Sequence, residues 1–156
     1  MLENKEVTCF PSYGAEVRGG TANCTVIISD ELIGSPVVKN PDILIVMSDA
    51  SLNKFQPNLK QKGLLIFDSS LINKPVLRDD IEITGVPATE ISSKIGNTKS
   101  ANMALLGAFI EKTGLLKEKS VFEAIESSVP DRKKRSIEVN KKAIVEGMRY
   151  IEDKKG

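Results

Sequence analysis

The sequence contains no histidine and no tryptophan, and it has only two cysteines and 4% aromatic residues. The lack of histidine excludes Ser-His-Asp and Cys-His catalytic sets, histidine zinc sites and HExxH proteases. The two cysteines, Cys9 and Cys24, are too few and too widely spaced for a CxxC pair or an iron–sulfur run. We expect both to be small buried apolar residues, with a reactive thiol as the alternative.

An excess of charge of one sign is also absent, since 22 Lys and Arg residues balance 21 Asp and Glu residues. With so little net charge and few aromatic side chains for base stacking, the sequence argues against a nucleic-acid partner. The longest strongly apolar stretch, residues 101–110, is too short to span a membrane, and no signal peptide is recognisable. We therefore expect a cytoplasmic protein with no membrane contact and with reduced cysteines.

Local motifs for phosphate and metal binding are missing as well. The sequence has no GxGxxG or GxxxxGK[ST] loop, and no carboxylate cluster has the spacing of a magnesium or calcium loop. A self-standing nucleotide-binding enzyme is therefore disfavoured. No self-sufficient catalytic set remains, and this favours an accessory subunit over an enzyme that acts alone.

The apolar pattern of the chain is that of an α/β domain. Two short, continuous apolar runs, at residues 43–47 and 64–67, are typical of parallel strands that are covered on both faces. A third strand is predicted at residues 81–86. Between the first two runs there is room for a crossover helix, capped by Asp49 or Ser51 and ending at Gly63. Residues 1–156 are thus predicted to form a single α/β domain, a three-layer open sheet with helices on both faces and a helical C-terminal third.

The two ends of the chain differ in pattern. Alternating residues predict a strand over 21–29, preceded by a β-like stretch at 7–10. Residues 101–110 are apolar nearly all round, which predicts a buried helix, and Gly107 inside it predicts the close approach of a neighbouring backbone. Ser120 begins a capping box with Glu123, which predicts a helix start there. A final amphipathic helix carries an apolar stripe of Ile137, Ile144, Met148 and Ile151.

The most unusual segment is glycine-rich and contains an arginine. Its candidate binding residues are Tyr13, Gly14, Glu16, Arg18, Gly19 and Gly20. The planar guanidinium of Arg18 is suited to a carboxylate or phosphate, because it offers a two-point geometry that lysine lacks. The alternative is a tight surface turn with an internal pair between Glu16 and Arg18.

Two further candidates lie at predicted element boundaries. Thr89 and Glu90 follow Pro87 at the carboxyl end of a predicted strand, where open α/β sheets bind ligands. The alternative for this pair is simple capping of the next helix. Asn102 closes a polar stretch that presents amides to a ligand or another subunit, or that merely begins a helix.

Several blocks of the chain resemble the gamma subunit of 2-oxoacid:ferredoxin oxidoreductases. They are FPSYGAEVRGGTANC at 10–24, IISD at 27–30, PDILIVM at 41–47, GVPATEI at 85–91, ANMALLGA at 101–108 and the final helix, which holds Asn140 and Gly147. The blocks cover nearly the whole chain in the expected order, and the Ser-Tyr-Gly-x-Glu-x-Arg-Gly-Gly pattern is fairly specific. Family members usually begin with a strand and a Gly-x-Gly-Gly-Gln-Gly loop before a helix, and this sequence contains no such motif. We expect an exposed hydrophobic sheet edge as a consequence, and no phosphate cradle of that kind.

The resemblance implies an oligomeric complex that oxidatively decarboxylates a 2-oxoacid to an acyl-CoA and passes electrons to ferredoxin. Thiamine diphosphate and iron–sulfur clusters would belong to the partner alpha, beta and ferredoxin-like delta subunits. This chain would bind no cofactor alone but would contact coenzyme A through the glycine-rich segment, beside Thr89, Glu90 and Asn102. Its Glu-Val-Arg-Gly-Gly form is similar to 2-oxoglutarate or branched-chain versions more than to pyruvate versions, with indolepyruvate enzymes also possible. The rival interpretation is a non-catalytic scaffold whose glycine-rich loop is only a subunit interface.

Overall fold

A computed structural model describes residues 3–12, 21–73, 78–130 and 134–155. These ranges contain five strands and five helices. They also contain two short 3-10 turns, at Gln56–Asn58 and Thr98–Ser100. The elements are β1 (Glu6–Ser12), β2 (Asn23–Ser29), β3 (Ile43–Val46), α1 (Asp49–Phe55), β4 (Leu64–Asp68), β5 (Glu82–Val86), α2 (Ala88–Lys94), α3 (Ala101–Thr113), α4 (Glu118–Ser128) and α5 (Lys134–Asp153).

The three central strands form a parallel sheet in the order β3-β4-β5. Successive residues of β4 face opposite sides of this sheet, which is why the strand is apolar throughout. Ile66 packs with Ala104 of α3 on one side, and Leu65 packs with Leu52 of α1 on the other. Leu65 and Ile66 are both completely buried. This three-layer arrangement confirms the predicted α/β fold class.

One edge of the sheet is apolar and accessible. Among the described residues β3 pairs with β4 alone, so the outer edge of β3 has no strand beside it. Ile45, in the middle of β3, is 41% exposed. The structure therefore has the exposed hydrophobic edge that the sequence predicts.

The first two strands form a separate antiparallel hairpin. Val7 lies opposite Ile28 near the open end of this hairpin, and both line an apolar cavity together with Met103 of α3. Towards the other end, Phe10 and Val26 are about half exposed. One end of the hairpin is therefore packed against the helices, while Phe10 and Val26 towards the other end remain half open to solvent.

The two longest helices cross at a pair of glycines. A Cβ atom placed on Gly107 would lie 2.0 Å from the carbonyl oxygen of Ile144, and one on Gly147 would lie 2.0 Å from that of Ala104. These distances leave no room for any side chain, so α3 and α5 are in backbone contact at both positions. The prediction that a neighbouring backbone approaches Gly107 is confirmed, and the predicted apolar stripe of α5 is buried at Ile144.

The crossover helix α1 differs from its predicted form. Ser48 caps it, since its Oγ accepts a hydrogen bond from the Ser51 amide at 3.2 Å, and the predicted caps at Asp49 and Ser51 are wrong. The helix also ends at Phe55, well before Gly63. Pro57 accounts for this early end, because proline lacks the amide proton needed to continue the α-helical hydrogen bonds, and the chain continues as the 3-10 turn Gln56–Asn58.

Helix α4 begins before its predicted start and is capped from a distant part of the chain. It starts at Glu118, so the capping box predicted at Ser120 and Glu123 is wrong. Instead, Oε1 of Glu3 accepts a hydrogen bond from the Lys117 amide at 2.8 Å. A residue beside the hairpin thus satisfies a donor at the helix start, which would otherwise lack a partner.

This cap makes the start of α4 sensitive to acid. The Lys117 hydrogen bond lowers the pKa of Glu3 below its ordinary value, because the bond favours the ionised carboxylate. A carboxylate with a lowered native pKa stabilises the fold above its unfolded pKa and loses this contribution as pH falls through the native pKa. As the pH falls from about 6 to about 3, we expect hydrogen exchange at the Lys117 amide to accelerate, after correction for its intrinsic rate. Glu3→Gln should remove this pH dependence.

Glu31→Gln is the control for this experiment, because Glu31 is exposed in the loop after β2. It should leave the pH dependence at Lys117 unchanged. An equal loss of pH dependence in both variants would show that Glu3 does not control the start of α4.

Candidate functional site

The carboxyl edge of the parallel sheet brings together polar residues from two consecutive strand–helix connections. Asp68 ends β4 and lies beside Val86, the last residue of β5. Ser70 follows Asp68 in the chain, and Thr89 and Glu90 lie in the first turn of α2. These residues meet because β4 and β5 are parallel neighbours, so the connections that follow them leave from the same edge.

Asp68 is the centre of this cluster and is completely buried. Its Oδ2 accepts a hydrogen bond from the Thr89 hydroxyl at 2.6 Å and one from the Thr89 amide at 3.2 Å. Its Oδ1 accepts one from the Ser70 amide at 3.0 Å. Burying a carboxylate is costly unless it is hydrogen-bonded, and these three donors meet that requirement inside the chain.

The first turn of α2 is also satisfied from within the protein. Pro87 precedes the helix and provides no side-chain cap. The Thr89 amide donates to Asp68, and the Glu90 amide donates to the Ser70 hydroxyl at 3.2 Å. Amides that would otherwise be open to an anion at a helix start are therefore already bound to the end of β4.

The structure places the predicted pair Thr89 and Glu90 in this cluster with different roles. The Thr89 hydroxyl is committed to Asp68. The Glu90 side chain is exposed and pairs with Lys94, one helical turn away, at 2.8 Å. Both contacts stabilise the start of α2, and the carboxylate of Glu90 remains accessible to solvent.

Of the other predicted site residues, the structure describes only Asn102, and it is not hydrogen-bonded to this cluster. Asn102 is exposed in the first turn of α3, and no hydrogen bond between described residues joins it to Thr89 or Glu90. Tyr13, Gly14, Glu16, Arg18, Gly19 and Gly20 lie outside the described residues. The first described residue after that segment, Thr21, accepts a hydrogen bond from Lys54 of α1 at 2.8 Å.

Sequence reasoning missed Asp68 and Ser70. Both follow a continuous apolar strand immediately, in the order Asp68-Ser69-Ser70. A polar run at the carboxyl end of a buried parallel strand is itself a signal of a functional or capping position. That signal was present in the sequence and identifies the place, although it does not identify Thr89 as the partner.

Sequence reasoning also misplaced the cysteines. Cys9 and Cys24 are both exposed, so the expectation that they are buried is wrong. Their Sγ atoms lie 3.2 Å apart across the hairpin, although the two residues are well separated in the chain. Contact with Cys9, and to a smaller extent desolvation, raises the pKa of the Cys24 thiol.

A comparison with protein families identifies the chain. A family model described as pyruvate ferredoxin/flavodoxin oxidoreductase matches residues 1–150. The chain belongs to this family. The match extends over all ten helices and strands of the described residues except the last turn of α5.

Curated relatives of this chain are named for two different substrates, 2-oxoglutarate and ketoisovalerate. The 2-oxoglutarate synthase subunit KorC of Methanothermobacter marburgensis is 40% identical over 125 residues, which are 76% of this chain and 67% of that protein. The ketoisovalerate oxidoreductase subunit VorA of the same organism is 34% identical over 147 residues, or 93% of this chain. The chain spans only 30% of the length of that VorA subunit.

A solved structure supports the same assignment. The gamma subunit of a keto/oxoacid ferredoxin oxidoreductase from Geobacter sulfurreducens superimposes with a TM-score of 0.80 at 29% identity. The superposition covers 96% of this chain and 82% of that one. The resemblance to gamma subunits inferred from the sequence is thereby confirmed.

Family members are subunits of 2-oxoacid:ferredoxin oxidoreductases, which use thiamine diphosphate and iron–sulfur clusters. Within the ranges that the structure describes, no three His, Cys, Asp or Glu residues come together as metal ligands. In the same ranges, no helix has the length and apolarity needed to cross a membrane.

Proposed function

We propose that residues 1–156 form one gamma-type domain of a multisubunit 2-oxoacid:ferredoxin oxidoreductase. In this assembly the chain supports the coenzyme A-dependent oxidative decarboxylation of a 2-oxoacid to an acyl-CoA, with ferredoxin as the electron acceptor. The observation that carries the proposal is the family match over residues 1–150. Thiamine diphosphate and iron–sulfur clusters belong in this proposal to alpha, beta and ferredoxin-like delta partners, and no cofactor is bound by this chain alone.

The assembly can be tested by recovering the chain from its native extract. Thiamine diphosphate and iron–sulfur subunits should be recovered with it, together with 2-oxoacid-dependent and coenzyme A-dependent dye reduction. Recovery of the chain without such partners or activity would contradict the proposal.

We propose 2-oxoglutarate or a branched-chain 2-oxoacid as the substrate, in preference to pyruvate. Support comes from the Glu16-Val17-Arg18 form of the glycine-rich segment and from relatives named for 2-oxoglutarate and ketoisovalerate. Comparing kcat/KM of the purified complex for 2-oxoglutarate, 2-oxoisovalerate and pyruvate tests this choice. A clear preference for pyruvate would overturn it.

The proposed anionic contact of this chain is Arg18, which would bind a phosphate of coenzyme A together with its neighbours Tyr13 and Glu16. Hydrogen bonds to charged groups contribute about 1.5–3 kcal/mol. Arg18→Ala should therefore raise the KM for coenzyme A about 10- to 100-fold and lower acyl-CoA formation, while the complex still assembles. Steady-state kinetics and gel filtration of the same preparation measure both quantities.

Arg149→Ala is the matched control for Arg18→Ala. Arg149 is an exposed arginine on α5 that pairs with Glu146 at 2.9 Å, so its loss removes a guanidinium from the opposite end of the chain. Its kinetics should equal those of the unmodified complex. An unchanged KM for coenzyme A in Arg18→Ala would end the proposed role of Arg18.

The alternative is a non-catalytic scaffold whose glycine-rich loop forms only a subunit interface. One observation favours it: the Thr89 hydroxyl and the Thr89 and Glu90 amides already bind Asp68 and Ser70 within the chain. Under this alternative Arg18→Ala weakens assembly and leaves the coenzyme A dependence of each intact complex unchanged. The same two measurements therefore separate the two functions.

A further inference from the structure

We propose that Cys9 and Cys24 form a thiol–disulfide exchange site, which low-molecular-weight disulfides such as oxidised glutathione convert into a disulfide across the hairpin. The two residues are the only cysteines in the sequence. This role is independent of the proposed enzymatic function.

The hairpin brings the two thiols into contact. In its antiparallel register Cys9 lies opposite Val26, and Pro11 lies opposite Cys24. Opposed and alternate residues of such a ladder share one face, so both cysteine side chains project on the same side of β1 and β2. The observed separation of 3.2 Å between the Sγ atoms is only about 1 Å longer than a disulfide bond.

Both thiols are also accessible to a reagent. Each cysteine is exposed, and the neighbouring Val26 is 54% exposed. Buried structural cysteines are inert because no oxidant reaches them, whereas exchange requires attack on an incoming disulfide. Accessibility and contact together distinguish this pair from two cysteines that merely fill a core.

The chemistry proceeds in two exchange steps. The thiolate of one cysteine attacks the small disulfide, which forms a mixed disulfide and releases one small thiolate. The second cysteine, as thiolate, then attacks the sulfur of the first, forms the Cys9–Cys24 bond and releases the second small thiolate. The two protons of the cysteines end on the released thiols, and the two electrons pass from the cysteine sulfurs to the small disulfide.

The position of Cys24 next to Cys9 suits the second step, because the two Sγ atoms already lie 3.2 Å apart. Contact with Cys9 raises the pKa of Cys24, so Cys24 forms the reactive thiolate less readily at a given pH, and the exchange should accelerate as the pH rises.

The consequence of this bond is a closed hairpin. A two-stranded hairpin is only marginally stable by itself, and the structure shows no third strand beside β1 or β2 among its described residues. Closing a loop of about 15 residues favours the paired form by on the order of 100-fold. Residues 13–20, which carry Arg18, lie between the two cysteines in the chain and would be enclosed by this loop.

Peptide analysis of the oxidised protein tests the proposal. The purified full chain is equilibrated with glutathione buffers of increasing oxidised fraction, quenched with acid and alkylated. Trypsin cleaves after Lys5, Arg18 and Lys39, so the two cysteines fall in the separate peptides 6–18 and 19–39. We expect these peptides to be recovered as one linked species that separates on reduction. Their absence as a linked species at the most oxidising ratio would overturn the proposal.

Single variants test the order of the steps. Cys9→Ser and Cys24→Ser each lack the resolving thiol, so the remaining cysteine should accumulate one glutathione, whereas the unmodified chain should not. Glutathione on both cysteines of the unmodified chain, without a linked peptide, would contradict the pairing. In the oxidised form, hydrogen exchange at hairpin amides such as that of Thr25 should slow by on the order of 100-fold, and an unchanged rate would show that the bond does not lock the hairpin.

Discussion

Gly107→Ala and Gly147→Ala should each destabilise the chain by about 3 kcal/mol or more. The added methyl group would lie 2.0 Å from a backbone carbonyl oxygen of the facing helix in both cases. A clash with a side chain can be relieved by rotation, but a carbonyl oxygen within a helix cannot move without its helix. The two helices must therefore move apart, and the apolar contacts between α3 and α5 around the crossing are weakened. Urea unfolding of the purified chain measures the effect.

Substitutions at two other glycines are controls that distinguish the clash between α3 and α5 from the general effects of replacing glycine. Gly34 has nothing within 4 Å of the added methyl group, so Gly34→Ala should change the free energy of unfolding by less than about 0.5 kcal/mol. Gly114 has the same open space but a φ of +62°, so Gly114→Ala should cost about 1 kcal/mol of backbone strain. A cost for Gly107→Ala as small as that for Gly34→Ala would show that α3 and α5 do not touch there.

The double variant gives a further test of the crossing. Once the helices have separated around one methyl group, the second methyl group meets less resistance. The combined cost of Gly107→Ala and Gly147→Ala should therefore be well below the sum of the two single costs, as expected for residues in contact. Strict additivity would indicate two independent sites.

The sequence predicts the elements of this fold well, because the signals for them are local. The continuous apolar run at residues 64–67 corresponds to β4, and the buried helix that begins at Ala101 ends at Gly114, which adopts the left-handed geometry of a helix stop. Gly107 was also informative, since a glycine inside an apolar helix has little other use. Its partner Gly147 gave no comparable signal. It lies in an amphipathic helix, where the spacing of apolar side chains predicts the helix but not the approach of another backbone.

The features that were missed or misplaced all depend on contacts between distant parts of the chain. Glu3 caps α4 although it lies 114 residues before Lys117 in the chain, so the local capping box at Ser120 was misleading. Cys9 and Cys24 meet only because of the register of the hairpin. Local patterns contain no information on such partners until the fold is known.

The cluster around Asp68 belongs to the same class of contacts. Asp68 ends a strand and Thr89 begins a helix that follows the next strand, and hydrogen bonds between them join the two connections at the sheet edge. Sequence reasoning identified Thr89 and left open whether it binds a ligand or caps a helix. The structure shows the capping contact, and the partner that makes it is Asp68.

Asp68→Ala should destabilise the protein by about 3 kcal/mol. The change leaves the Thr89 hydroxyl, the Thr89 amide and the Ser70 amide without their acceptor, and each of these half-buried donors should cost about 1 kcal/mol, the low end of the range for an unpaired donor. Asp68→Asn keeps the shape and one acceptor oxygen but turns an amide group towards these donors, so it should cost about 1–2 kcal/mol. Unfolding in urea gives both values, and hydrogen exchange at the Thr89 and Glu90 amides shows whether the loss is at the start of α2.

Thr89→Ser and Thr89→Ala complete this test. Serine retains the hydroxyl that donates to Asp68, so Thr89→Ser should stay close to the unmodified protein, whereas Thr89→Ala should lose about 1–2 kcal/mol. Equal stability of the serine and alanine variants would show that the 2.6 Å hydrogen bond contributes little.

Kinetics of the assembled complex with Asp68→Asn then decide whether Thr89 and Glu90 bind a ligand or only cap α2. If Thr89 and Glu90 line a binding crevice, loosening the first turn of α2 displaces them and should raise the KM for coenzyme A several-fold at a temperature where the variant is still folded. If they only cap the helix, stability falls and the KM does not change. The capping contacts within the chain favour the second result, which would leave Arg18 as the proposed coenzyme A contact and assign the carboxyl edge of the sheet to maintaining the fold.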